Sequence, residues 1–230
     1  MAKNNRMEDF EYQASQYEKQ RRQKTQKIRA LTDKQHDYMQ EIEHRILTFS
    51  IGPAGTGKSY VAVSLAAEAF MNKEISQIII TRPVVEAGNS LGFLPGEQSE
   101  KYMPYIAPVY DILLQKMGKS QLEYALKVGQ IRAIPLEMMR GLSFNDTWVI
   151  LDEAQNVTKA QMKLFLTRIG RNCKVIVDGD IKQSDLKVES GLLDAVRRFY
   201  QLPDVGVVEF SHEDIVRSGI VKDIIMGYSD

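Results

Sequence analysis

The chain has 230 residues, 43% hydrophobic and 26% charged, which is enough for one well-buried core and too few for two full-sized domains. Thirty basic residues balance thirty acidic ones, so bulk positive charge is excluded as a means of holding nucleic acid; such binding would need a local basic surface. A lone cysteine, Cys173, excludes an intrachain disulfide and a cysteine-based zinc site, and no stretch approaches the roughly eighteen apolar residues of a membrane span, which reads as a soluble, cytoplasmic chain.

Residues 1–30 read as a basic arm. Eight Lys or Arg stand there against four acids, about +4, which leaves about −4 for residues 31–230. Val and Leu are missing from the arm, so it builds no core and is expected to be flexible or helical only with a partner. Leu31-Thr32-Asp33 opens a helix to about His44, capped by Thr32 or Asp33. Arg45–Ile51 is a short apolar run ending in a glycine-rich turn, the mark of a buried strand, and a helix follows from about Gly57 to Asn72. Ile75–Thr81 is a second β-branched run, stopped by Pro83. Glu86–Gly96 is expected to be an ordered loop, and two helical segments follow over Glu97–Val128, broken near Gly118. Further strands are expected at Ile131–Pro135, Thr147–Leu151, Lys174–Val177 and Val205–Phe210, with helices near Lys159–Ile169, Gly191–Tyr200 and Glu213–Met226. This alternation predicts a three-layer α/β domain over residues 31–230, with a mainly parallel sheet.

Gly52-Pro53-Ala54-Gly55-Thr56-Gly57-Lys58-Ser59 matches the phosphate-loop pattern in full, between an apolar strand and a helix, with Tyr60 as the next residue on the nucleotide side. Glycines let backbone N–H groups turn inward around phosphate oxygens, and the helix N-terminus adds its positive dipole end. Lys58 is expected on the β- and γ-phosphates and Ser59 on magnesium. Trp148-Val149-Ile150-Leu151-Asp152-Glu153 is an apolar strand ending in two acids. Asp152 is suited to hold magnesium through water, and Glu153 to polarise an attacking water as general base. A base beside the metal acid favours hydrolysis over transfer to an acceptor hydroxyl. Lys174–Val177 runs into Gly179-Asp180-Ile181-Lys182-Gln183-Ser184-Asp185, where the Gln183 amide can both donate and accept near a γ-phosphate.

With these motifs in place, the sequence resembles the helicase-like P-loop ATPases of superfamily I, with a RecA-like fold, and specifically the PhoH-like family. The resemblance runs from about Leu31 to Tyr228. It rests also on Thr81-Arg82-Pro83-Val84-Val85-Glu86-Ala87-Gly88, Leu91-Gly92-Phe93-Leu94-Pro95-Gly96, Asp152-Glu153-Ala154-Gln155-Asn156, Thr167-Arg168-Ile169-Gly170 and Asp214-Ile215-Val216-Arg217. It implies that Gln35 lies near the adenine base and that Arg217 serves the γ-phosphate, with Arg168 a second arginine candidate. Ser218-Gly219 stands where the family pattern leads one to expect histidine and then proline. A single domain of this kind further implies a ring-shaped homo-oligomer, a hexamer favoured, in which an arginine can arrive from a neighbour. Arg82 and Phe93 are then expected to face nucleic acid, an arginine for phosphate and an aromatic ring for a base.

The leading expectation is a Mg-dependent ATPase acting on RNA or single-stranded DNA. The alternative is an ATP-binding regulatory or assembly module with slow hydrolysis and protein partners.

Overall fold

The computed structural model describes residues 27–83, 98–217 and 219–227. The arm up to residue 26 and the expected Glu86–Gly96 loop with Phe93 lie outside the described residues.

In chain order the elements are α1 (Asp33–His44), β1 (Leu47–Ile51), α2 (Lys58–Met71), β2 (Gln77–Thr81), α3 (Gln98–Met117), α4 (Lys119–Lys127), β3 (Ile131–Ala133), β4 (Thr147–Leu151), α5 (Lys159–Leu166), β5 (Cys173–Gly179), α6 (Gly191–Phe199), β6 (Val205–Glu209) and α7 (Gly219–Gly227). Among the described residues the strands form one six-stranded sheet, ordered β3-β2-β4-β5-β1-β6, with every pairing parallel. Side chains alternate between its faces with a period of two. On β4, Trp148 and Ile150 pack under α2, α3 and α4 with Ile106, Leu113 and Leu122, while Val149 and Leu151 pack under α5 and α6 with Phe165 and Leu192. All five residues of β1 and of β4 are buried, as expected where helices cover both faces. Fully buried side chains such as Phe49 and Phe165 each contribute about 1.5–3 kcal/mol on transfer from water. The three-layer α/β domain expected from the alternation is the one observed.

Local chemistry sets the element ends. The Thr32 hydroxyl accepts from Gln35 N and caps α1, and Thr158 with Gln161 forms a capping box on α5. The break between α3 and α4 falls at Gly118, whose φ of 77° suits glycine. The packed chain already includes Ile28, which is buried and donates its N–H to Glu68.

One expected helix is corrected. Glu213–Met226 is not continuous: the 3-10 turn at His212–Asp214 ends in an extended Ile215, Val216 and Arg217 are not helical, and α7 begins at Gly219. The Asp214 carboxylate accepts from Ser211 N at 2.7 Å while the Ser211 hydroxyl accepts from Glu213 N, which closes the turn locally. Ile215 is then buried and Val216 N donates to Gly55 O at 3.0 Å, tying the stretch to the loop after β1 in place of a helical bond.

Candidate active site

Strand order brings three loops together. β4, β5 and β1 are adjacent, so the loops leaving their carboxyl ends (Asp152–Gln155, Asp180–Gln183 and Gly52–Ser59) meet at one edge of the sheet, the edge where open α/β sheets bind ligands. They border a cleft of about 780 Å³.

The phosphate loop needs its glycines for different reasons. A Cβ on Gly52, with φ at 143°, would come within 2.4 Å of Phe210 O at the end of β6. Gly57 caps α2 in the left-handed region, at φ 86°. Inside the loop, Lys58 Nζ donates to Gly52 O at 2.7 Å and to Pro53 O at 2.8 Å. Burial pushes its ammonium below the ordinary lysine value, opposed by the charges of Asp178, Asp180, Asp152 and Glu153. Ala54, Gly55 and Ser59 line the cleft, while Thr56 is buried with its hydroxyl on Pro53 O. Gln35 backs the loop. It is 3% exposed, its Nε2 donates to Thr56 O at 2.9 Å, and its Oε1 accepts from Leu31 N at 2.8 Å. Tyr60 stands at the cleft rim with the Lys116 ammonium 5.2 Å from its ring centre.

Ser59 Oγ donates to Asp152 Oδ1 at 2.9 Å. A hydroxyl and a carboxylate this close are hard oxygen donors that fit a magnesium ion also held by substrate phosphates. Among the described residues no group of three or more His, Cys, Asp or Glu could hold a metal without such help. Burial, then the neighbouring Glu153, raises the Asp152 pKa, while Arg82 lowers it.

Glu153 has left-handed backbone angles, φ 54° and ψ 38°. A non-glycine residue in that region carries local strain, which concentrates at functional sites. Arg82 Nη2 donates to its Oε1 at 3.2 Å, and Gln155 Nε2 donates to its Oε2 at 2.6 Å. The Arg82 guanidinium, expected on nucleic acid, lies against Glu153, with Asp152 Oδ2 at 4.0 Å, and also donates to Tyr105 O at 3.3 Å.

Gln183 ends the 3-10 turn after β5 and borders both this cleft and the neighbouring groove. Arg217 lies between the His212–Asp214 turn and α7, over the phosphate loop of its own chain: a Cβ on Gly55 would come within 2.9 Å of its Cγ. Arg168 is placed elsewhere. It follows α5, donates to Leu142 O at 3.3 Å, and adjoins the Phe144–Ile169 bridge at the amino end of β4.

Two buried residues went unassigned in the sequence. Gln155 is one. The other is Asp178, fully buried on β5, whose Oδ1 accepts from Tyr38 Oη at 2.6 Å and from Ser50 Oγ while Oδ2 has no partner. Burial, then the Asp152 charge, pushes its carboxyl up to about 7. The signal was a carboxylate two residues after Ile176, on the apolar face of a strand. The native state therefore binds the Asp178 proton more tightly than the unfolded chain, so stability falls as pH rises from about 4 to about 7. Asp178→Asn keeps an acceptor for Tyr38 and Ser50 and removes the charge. It is expected to flatten that decline, seen as a smaller loss of Tm between pH 5 and pH 8; an unchanged decline would contradict it.

The PhoH-like protein family matches residues 27–229. The protein PhoH of Escherichia coli K12 is 47% identical over 209 residues, covering 89% of this chain and 59% of that protein. A PhoH-like protein of Bacillus subtilis is 45% identical over 232 residues, covering 99% of this chain and 72% of the relative. The chain thus spans 59% of the Escherichia coli protein's length. Among solved structures, the large terminase of a thermophilic bacteriophage superposes with a TM-score of 0.51 at 12% identity, covering 83% of this chain and 48% of the terminase; at that identity the likeness concerns the fold.

Proposed function

The chain belongs to the PhoH-like family, and from that premise we propose that it hydrolyses ATP with magnesium and couples turnover to RNA or single-stranded DNA. The observation that carries the reading is the meeting of Lys58, the Ser59–Asp152 pair, Glu153 and Arg217 around one cleft. The loop N–H groups and the α2 N-terminus receive the phosphates. Lys58 exchanges the carbonyls of Gly52 and Pro53 for the β- and γ-phosphates. Ser59 and Asp152 hold magnesium, which when bound neutralises charge on the phosphates. Glu153, clamped at both oxygens, orients a water for in-line attack and takes its proton. Gln183 meets the γ-phosphate, and Arg217 stabilises the charge that develops there. Gln35 supports the loop from the adenine side.

Arg217 reaches the cleft within its own chain, so a second subunit is not needed to supply it. Arg168, near the amino end of β4, lies away from this cleft and is the arginine a neighbouring copy would receive. The ring-shaped homo-oligomer, a hexamer favoured, rests on that residue. Among the described residues no helix is long and apolar enough to cross a membrane.

A polymer is sensed through Arg82. It joins Glu153 to the segment that runs into Pro83, so a polymer engaging that segment moves the general base. Steady-state hydrolysis with and without single-stranded RNA or DNA tests this: multi-fold stimulation by one polymer, lost in Arg82→Ala, is the expected result. The zero net charge and the engagement of Arg82 by Glu153 favour the second reading, an ATP-gated assembly module with protein partners. Hydrolysis that neither polymer stimulates would decide for it.

A further inference from the structure

Gln155 lies in the short turn after β4, 1% exposed, and its amide is used at both ends. Nε2 donates to Glu153 Oε2 at 2.6 Å, and Oε1 accepts from Asp180 N at 3.1 Å. These partners fix the amide's orientation, because a carboxylate takes only a donor and a backbone N–H only an acceptor. No other side chain fits so well. Glutamate would set an anion against Glu153, leucine offers neither group, and asparagine is one methylene short. The adjoining backbone is shaped for it: a Cβ on Gly179 would come within 2.9 Å of Gln155 Oε1 and 3.0 Å of Gln155 N. Ser184 Oγ also donates to Gln155 O at 3.0 Å, holding the turn to the segment after β5.

We propose that Gln155 is a positioning residue for ATP hydrolysis: it fixes the plane of the Glu153 carboxylate and ties it to the first residue of the Asp180–Gln183 turn, so that the group activating water and the group meeting the γ-phosphate move together. The inference rests on the ATPase reading above. Arg82 holds the other carboxylate oxygen, so loss of Gln155 leaves Glu153 hinged on one contact, on a strained backbone. Misplacing a catalytic group by about 1 Å costs up to about 100-fold in rate.

The test is a double-mutant cycle on single-turnover ATP hydrolysis. Gln155→Leu is expected to lower the rate about 10–100-fold with the affinity for ATP unchanged. In a Glu153→Gln background the same change should cost little more, since the group it positions is already gone. Gln155→Glu, close to isosteric, serves as the second variant. It keeps the shape of the side chain but loses the donor to Glu153, and should lower the rate in the same range with the affinity for ATP unchanged. Additive losses in the cycle, a loss confined to ATP affinity, or an unchanged rate in Gln155→Glu would overturn the role of Gln155. Absence of hydrolysis by the unaltered protein would instead sink the ATPase reading, and this inference with it.

Discussion

Lys58→Ala is expected to abolish ATP binding in the range where the unaltered protein binds, a loss of at least about 100-fold, or roughly 2.7 kcal/mol. The ammonium is buried and is the one cationic side chain of the loop, and charge-assisted bonds to phosphate contribute about 1.5–3 kcal/mol each. The lost contacts within the protein are the bonds to the carbonyls of Gly52 and Pro53 and a longer one, at 3.4 Å, to the Thr56 hydroxyl. Against them stands relief from burying the ammonium, the main cause of its lowered pKa. The fold should therefore survive. Calorimetric titration with a slowly hydrolysed ATP analogue and magnesium, alongside a melting curve, separates the two effects. Affinity retained by a folded variant would refute the phosphate-loop assignment.

Glu153→Gln is expected to do the reverse, keeping ATP bound while hydrolysis falls by a factor of about 100 or more, the range for loss of a general base. The geometry adds a second cost. An amide can still accept from Arg82, but the atom facing Gln155 Nε2 then becomes a donor, and two donors at 2.6 Å repel. Gln155 must rotate and give up Asp180 N, which disturbs the Gln183 turn as well. Counting radiolabelled nucleotide retained after rapid gel filtration measures the trap. A variant that turns over at the unaltered rate would show that another group activates the water.

The layered fold was legible because its signals are local. Apolar runs of five residues alternate with helical stretches, and Thr32 and Gly118 mark element ends in ways that depend only on near neighbours. The site was legible where a motif fixes geometry by itself: a phosphate loop places Lys58 and Ser59, and the acidic end of an apolar strand places Asp152 opposite. Contacts between distant strands were not legible. Nothing near Arg82 in sequence announces a carboxylate partner 71 residues away. Arg217 reads as a helical arginine until Val216 is found bonded to Gly55. Asp178 follows the last apolar residue of its run, yet its carboxylate is buried and accepts from groups 140 and 128 residues upstream. Such pairings follow from strand order, which periodicity does not encode.

If these residues hydrolyse ATP around a bound magnesium ion, the most direct measurement is phosphate release from ATP by the purified protein, with magnesium and with excess chelator. Steady turnover that stops when the metal is removed is the expected result. No release with magnesium present, by protein that binds ATP, would contradict it.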